Sequence, residues 1–416
     1  MLSRVALISM HASPLERAGQ SNAGGLNVYI RELSARLAAQ DLPVDIFTRR
    51  VDETTPDVIA MVPGVRVIQI EAGPFEALPP DDLLPFVPLF TAGVIGFAGL
   101  HGRPYDIVHS HYWLSGLVSL RLRRRWSVPA VHMFHTLAQV KRRVAAMWTA
   151  ADQRRALLEQ KVLEGVDAVV AANALEAAQL RDLYDAAHTR IFAIPCGVDL
   201  SLFTPGNKAS ARAVLGLPAS APLVLAAARI EPLKDIPTAV RAVALLSDRI
   251  DPAPHLVVVG GPVTGPSGVA EMERIKGAAR ATGLTERLHL VGAVTQEQLP
   301  LYMAAADVGV APSLHESFGM VALETLACGR PIVASAAGGL QLTVHDGENG
   351  YLAPPRDAAA FAARLGDILA DPALAARMSL SARRSAVPYG WETVAERVLC
   401  LYDSLVQANV VAATGS

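Results

Sequence analysis

"GVDLSLFTPGNKAS", residues 197–210, interrupts a long alternation of strand-like and helical runs with a polar stretch containing glycine and proline. The alternation stops there and then starts again, and that restart decides the fold. Before it, "RVALISM" (4–10), "VDIFTR" (44–49), "VRVIQI" (65–70), "DIVHSH" (106–111), "PAVHMFHT" (129–136), "AVVAAN" (168–173) and "RIFAIPCG" (190–197) read as strands. Each is a short apolar run rich in β-branched residues and bounded by turn formers. Between them "NVYIRELSARLAAQ" (27–40) places apolar residues at helical spacing. After it come "PLVLAAARI" (222–230), "HLVVVGGP" (255–262), "LHLVG" (288–292), "VGVAPS" (308–313) and "PIVASAAGG" (331–339), with helices such as "IPTAVRAVALLSDRI" (236–250) between them. Strand and helix in alternation mark a mostly parallel sheet covered on both faces. The sequence therefore predicts an α/β protein of two parallel-sheet domains, 1–203 and 204–389, facing a central cleft. A last amphipathic helix, 390–408, has no strand after it and could pack on either domain; "NVVAATGS" (409–416) reads as a frayed tail.

Composition narrows the function. A chain of 416 residues is long for one core, and a net charge of −2 lacks the dense cationic field that binds nucleic acid. Cys196, Cys328 and Cys400 lie far apart without metal-like spacing, which predicts reduced thiols in a cytoplasmic protein. The apolar run of the N-terminus is too short for a signal peptide and reads as the first strand. "LLPFVPLFTAGVIGFAGL" (83–100) carries no charge, but five prolines and glycines interrupt it. It is expected to be a buried helix of the first domain, with an acceptor-site or membrane-surface role as the other reading.

Ligands of open parallel sheets sit beyond the carboxyl ends of the strands. Three loops there carry chemistry. Gly24 and Gly25 precede a helix, where backbone N–H groups and the helix dipole receive an anion. "AAARIEPLKDIPTAV" (226–240) sets Arg229 and Lys234 after a strand, two cations able to neutralise a departing diphosphate. In "HESFGMVALETLACGRPIVASAAGGL" (315–340), Glu316 stands at a helix mouth and Glu324 deeper in that helix. Their separation, roughly 10 Å or more by helix rise, is too great for a paired acid and nucleophile on one glycosidic bond. Two diols of one extended ligand suit it, with the N–H groups of Phe318, Gly319 and Met320 ready for a phosphate between them. A diol, a diphosphate and a second diol describe a nucleotide sugar.

The spacing of Glu316 and Glu324, taken with Arg229 and Lys234, resembles the retaining glycosyltransferases of family four, whose GT-B fold is two Rossmann-like domains. The likeness spans nearly the whole chain. "ISMHASPL" (8–15), "GGLNVYI" (24–30), "HSHYWLSG" (109–116) and "HTLAQVK" (135–141) resemble most the branch that transfers N-acetylglucosamine from UDP to inositol 3-phosphate, with sucrose-phosphate synthases more distant. The resemblance implies that Arg229 and Lys234 bind the donor diphosphate, Glu316 the sugar hydroxyls and Glu324 the ribose, with Gly25 near the phosphates. It implies that His135 faces the donor sugar near the reacting centre. For the acceptor it implies His11, Asn27, Tyr112, Thr136 and an arginine placed at Arg154, with Arg155 as the other candidate. It also implies that the C-terminal helix returns to the first domain. Two positions depart from the pattern. Pro80 stands where that branch has a phosphate-binding lysine, a contact worth about 1.5–3 kcal/mol, although arginines of "KRRVAAMWTAADQRR" (141–155) could supply a substitute cation. Asp235 replaces the glycine usual after the lysine.

The expected activity is transfer of N-acetylglucosamine or glucose from UDP, with retention, to a hydroxyl of a small inositol-phosphate-like polyol. No nucleophile is evident, which fits a front-face route in which the leaving phosphate takes the acceptor proton. An unphosphorylated aminocyclitol or a sugar is the alternative acceptor. Outside the class stand a non-catalytic nucleotide-sugar-binding protein and a nicotinamide-dependent oxidoreductase, the latter disfavoured because no Gly-x-Gly occurs in the chain. No metal or other cofactor is expected. His109, His111, His132 and His135 end strand-like runs but lack carboxylates at ligand spacing, and Asp-x-Asp is absent. Small-molecule donor and acceptor are the expected partners, neither nucleic acid nor membrane, with a homodimer admitted.

Overall fold

The computed structural model describes residues 2–16, 24–100, 102, 105–142, 148–186, 188–263 and 265–414. Contacts divide the chain into two compact units. The first is built from Met1–Glu16, Gly25–Pro195 and Trp391–Ser416, the second centres on Cys196–Gly390.

In the first unit eight strands form one sheet: β1 (Val5–Ile8), β2 (Val44–Arg49), β3 (Val58–Val62), β4 (Val65–Ile70), β5 (Ile107–His111), β6 (Ala130–Met133), β7 (Ala168–Ala171) and β8 (Ile191–Ala193). Their order is β3-β4-β2-β1-β5-β6-β7-β8, and every pair is parallel except β3 with β4. β1 to β7, apart from β3, are buried almost throughout, which is why they read as continuous apolar runs. The edge strand β3 was missed, although VIAMV is itself an apolar run. It alternates exposed and half-buried residues and returns to β4 through the turn at Gly64, φ 80°.

In the second unit β9 (Leu223–Ala227), β10 (His255–Val259), β11 (Leu288–Gly292), β12 (Val308–Ala311), β13 (Ile332–Ser335) and β14 (Gly350–Ala353) lie in the order β11-β10-β9-β12-β13-β14, all parallel. Chain order reverses between β9 and β12, as it does between β1 and β5 in the first unit. Such reversals splay the loops of neighbouring strands apart and leave a crevice at their carboxyl ends.

Among the helices are α1 (Gly25–Ala38), α2 (Val87–Leu100), α3 (Tyr112–Trp126), α4 (Ala150–Gly165) and α7 (Trp391–Thr414) in the first unit, and α5 (Ile236–Ala244) and α6 (Met320–Ala327) in the second. Three differences from the expectations follow. The connector 197–203 belongs with the second unit, because Val198 bridges to Gly390 and Arg383 donates to the carbonyls of Phe203 (2.7 Å) and Leu200 (3.3 Å). The final helix runs on to Thr414 instead of fraying at 408, since no glycine or proline interrupts it before that point. It lies on α1 in the first unit, with Trp391 buried edge-on against Tyr29 and Glu392 paired with Arg36 at 2.8 Å.

The stretch 83–100 is not a buried helix. Pro80–Phe86 form 3₁₀ turns and α2 follows, sinking Val87, Phe90, Thr91, Val94 and Ala98 into the core while Leu89 (54% exposed) and Leu100 (85%) face out. By length and composition alone Pro80–Leu100 could cross a membrane, and about a third of it is buried.

Candidate active site

In the second unit the loops after β9 and β12, neighbours at the reversal, meet. Leu314 N–H donates to the Leu233 carbonyl at 2.8 Å, and the Lys234 ammonium pairs with Glu316 Oε1 at 2.5 Å. Ser313 Oγ donates to the same carboxylate oxygen at 3.2 Å. These side chains line a small cleft with Ala228, Gly319 and Ala322. Arg229 is not drawn into the pair. It is 43% exposed and pairs with Glu231 at 3.1 Å, so its charge is screened by water.

Why the strand β13 stops at a double glycine becomes clear here. A β-carbon on Gly338 (φ 53°) would lie 2.0 Å from the Glu316 carbonyl oxygen, and one on Gly339 would lie 2.5 Å from that of Ser317. Gly339 N–H donates to the Glu316 carbonyl at 2.8 Å, and Thr343 Oγ1 to that of Phe318 at 3.2 Å. Only glycine lets this backbone buttress the acidic loop.

Helix α6 begins at Met320 behind Gly319, φ 90°, with no side-chain cap. The first-turn donors are thus Met320, Val321 and Ala322, and Phe318, expected to offer its N–H, precedes the helix with its ring buried near Tyr389. An uncapped helix start beside a lysine suits an oxyanion. Glu324 is buried deeper in α6, and burial together with its charge pushes the Cys328 thiol up to about 12. Asp235 adopts φ 44° where glycine is usual in the resembled family, and it holds Thr238 Oγ1 at 2.7 Å. A short polar side chain tolerates that left-handed backbone better than most.

In the first unit His11 follows β1, Tyr112 follows β5, and His135 and Thr136 follow β6. The His11 and Tyr112 rings pack at a tilt of 31° with centroids 4.2 Å apart, and the Arg155 guanidinium lies over Tyr112 at 4.9 Å. Arg155 Nη2 donates to Thr136 O (2.7 Å) and Oγ1 (2.9 Å), and its Nε to Glu159 Oε1 (2.7 Å). Arg154, the arginine assigned to the acceptor, is exposed on α4; its neighbour Arg155 is the one brought to Thr136 and Tyr112. One helical residue turns the side chain by about 100°, which separates the two. Of the other loop arginines, Arg143 lies outside the described residues.

Burial works against the Arg155 charge, but Glu159, Tyr112 and Tyr184 around it more than offset this and raise its pKa. Burial, then the Arg155 charge, lowers the His11 pKa to about 3, so its imidazole is neutral. Asn27 is buried on α1, and its Nδ2 donates to the Ser13 carbonyl at 2.7 Å. Gly24 directly precedes α1, and Gly25 is its first residue. Glu159 and Tyr184 were missed. Glu159 is fully buried and accepts from Ala138 N–H (2.9 Å), Tyr184 Oη and Arg155. The i, i+4 pair of Arg155 and Glu159 on a helix was the available signal.

Tyr112 (φ 72°) and His135 (φ 61°) both have left-handed backbones, an uncommon state for non-glycine residues that concentrates where function over-determines geometry. His135 Nε2 lies 3.0 Å from His111 Nδ1. Among the described residues no three His, Cys, Asp or Glu side chains are grouped to hold a metal ion.

Comparison with known families agrees with this construction. Residues 23–202 match the model described as Glycosyltransferase Family 4, and residues 207–385 that described as Glycosyl transferases group 1. The chain belongs to family four of the glycosyltransferases and has their GT-B fold of two parallel-sheet domains. Among curated proteins it is similar to the D-inositol 3-phosphate glycosyltransferases of Streptomyces avermitilis and Geodermatophilus obscurus. It is 42% identical to each over 98% of its own length, and covers 88% and 91% of theirs. Among solved structures it is similar to the sucrose-phosphate synthase of Thermosynechococcus elongatus, with 39% identity, a TM-score of 0.90, and 98% and 100% of the two chains covered.

Proposed function

We propose that this glycosyltransferase moves a sugar, N-acetylglucosamine or glucose, from UDP to a hydroxyl of an inositol-phosphate-like polyol, with retention of anomeric configuration. The observation that carries the donor half is the Lys234–Glu316 pair beside the uncapped start of α6, where chain order reverses in the sheet. The diphosphate would take Lys234 and the helix N–H groups and recruit Arg229. Glu316, released from Lys234, would accept from sugar hydroxyls, and Glu324 would hold the ribose. Positive charge already in place at the leaving group supplies the electrostatic stabilisation, so this reading calls for no metal. The acceptor half rests on the relatives named D-inositol 3-phosphate glycosyltransferase, with His11, Tyr112, Thr136 and Arg155 near the acceptor and His135 toward the transferred sugar. A cytoplasmic location fits three cysteines that stand outside any disulfide.

A second acceptor class is favoured by one pair of facts. By the resemblance Pro80 falls where that branch has a lysine, and Arg155 is already matched by the buried Glu159. Both lower the positive charge offered to a phosphate, which suits an unphosphorylated cyclitol or a sugar. UDP release with UDP-N-acetylglucosamine and UDP-glucose, each crossed with inositol 3-phosphate, inositol and fructose 6-phosphate, separates these readings. Turnover on inositol 3-phosphate supports the first. Turnover on unphosphorylated inositol alone would replace it with the second, and none on any polyol would sink both.

A further inference from the structure

The strand ends of β5 and β6 hold four histidines, of which only His135 enters the proposed reaction. His109, His111 and His132 share a pattern. Each uses Nδ1 for its one ring hydrogen bond, to Tyr402 Oη (2.6 Å), His135 Nε2 (3.0 Å) and Ser110 Oγ (2.8 Å) respectively, and each leaves a buried Nε2 without a partner.

The direction of one of these bonds can be worked out. Ser119 Oγ donates to the Gly116 carbonyl at 2.8 Å, and Ser110 Oγ donates on to Ser119 Oγ at 3.0 Å or to the Val131 carbonyl at 3.3 Å. Ser110 Oγ is then the acceptor for His132, whose proton sits on Nδ1. For His111 the same placement follows from cost. A buried N–H without an acceptor is rarer in native proteins than a buried lone pair without a donor. With its proton on Nδ1, His111 strands only the lone pair of Nε2. With its proton on Nε2, it would strand an N–H.

We infer that His111 is a positioning residue that donates Nδ1–H to His135 Nε2 and so holds His135 as the Nδ1–H tautomer, a hydrogen-bond donor toward the site. Burial keeps both rings neutral, His135 with a pKa lowered to about 3 and His111 well below its usual value, so one proton per ring has to be placed. His135 is half-buried, and no described side chain hydrogen-bonds its Nδ1. The left-handed turn at φ 61° aims the ring from the end of β6, while His111 ends β5, so the tautomer is set by the register of two neighbouring strands. In this state His135 cannot take a proton from the acceptor through Nε2. It offers N–H to an oxygen of the transferred sugar, which fits a reaction in which the leaving phosphate receives the acceptor proton. The role at the sugar rests on the proposed function; the tautomer does not.

The test uses the full chain labelled with ¹⁵N-histidine, with the His135 ring signals assigned by their loss in His135→Gln. Expected is an unprotonated Nε2 and a protonated Nδ1 in the ligand-free protein. A protonated Nε2 there would overturn the inference whatever the enzyme's substrate. His111→Asn keeps a donor near the Nδ1 position and His111→Leu removes it. The account expects kcat to fall on the order of tenfold in the leucine variant, the worth of one hydrogen bond, and at most about threefold in the asparagine variant. Equal losses in both would mean that His111 only fills space and would count against the positioning role. If the tautomer is as expected but no nucleotide sugar perturbs the His135 signals, the functional reading fails and the tautomer stands.

Discussion

Lys234 and Glu316 lie 82 positions apart and come from loops after different strands. Each offers a charge that the other satisfies only because β9 and β12 are neighbours. Replacing Lys234 by alanine removes the cation that would meet the leaving diphosphate. A fall in kcat of about 10²–10³ is expected, the scale of losing one preorganised charge-stabilising donor. Rates of UDP release at saturating donor check this, and an unchanged kcat would remove Lys234 from the leaving-group role. Asp235 belongs to the same scale. Alanine there keeps the left-handed φ of 44° and loses the bond to Thr238, so Asp235→Ala should destabilise the protein by about 1–3 kcal/mol, read by denaturant unfolding.

At the scale of elements, the acidic loop 316–318 is held by the turn after β13. Gly338→Ala places a methyl 2.0 Å from a carbonyl oxygen, a contact that no rotamer relieves, so the loop carrying Glu316 must shift. At least a tenfold loss of kcat/KM for the donor is expected, since a displacement of about 1 Å in a positioning group can cost up to 10²-fold. Gly96→Ala, on the exposed face of α2 where no described atom lies within 4 Å of the added carbon, is the control expected to stay near wild type in the same assay.

These elements also show what could be read before the fold was seen. Many buried parallel strands announce themselves as apolar runs, and Arg229, Lys234 and Glu316 stand out in the loops after β9 and β12, with Glu324 further on in α6. The edge strand β3 is itself the apolar run VIAMV and was missed all the same, whereas α2 has an uncharged outer face, so its burial was overread. Arg154 and Arg155 differ by one position on a helix. Only the packing of α4 beside Thr136 and the hidden partner Glu159 tells them apart.

Across the whole molecule, buried histidines set the response to acid. Burial lowers the pKa of His11, His109 and His135 to about 3, and those of His111 and His132 also fall. Unfolding frees each to bind a proton below its ordinary value of about 6.5. The unfolded state therefore holds more protons from pH 6.5 down to about 3, and stability falls as pH falls through that window. Glu176 acts the other way. Its pKa is raised by burial to about 7, so its contribution is lost as pH rises from 4.5. His255 and His289 fall as well, and burial raises Glu16 along with Glu176, so with seven histidines against two carboxyls the midpoint of thermal unfolding should drop steadily from pH 6.5 to 4. A midpoint that held constant would show that these rings are already charged in the folded state.

The final helix is a second whole-molecule feature, because Trp391 reaches back to Tyr29 from the far end of the chain. Trp391→Ala should cost about 3–5 kcal/mol, measured by denaturant unfolding, even though Trp391 has no part in the chemistry. The central claim is that this fold transfers a sugar from UDP with retention. The anomeric configuration of the product formed from an α-linked UDP-sugar and a polyol, followed by NMR as UDP is released, tests it most directly. The account predicts an α-linked glycoside in step with UDP. A β-linked product, or free sugar alone, would contradict it.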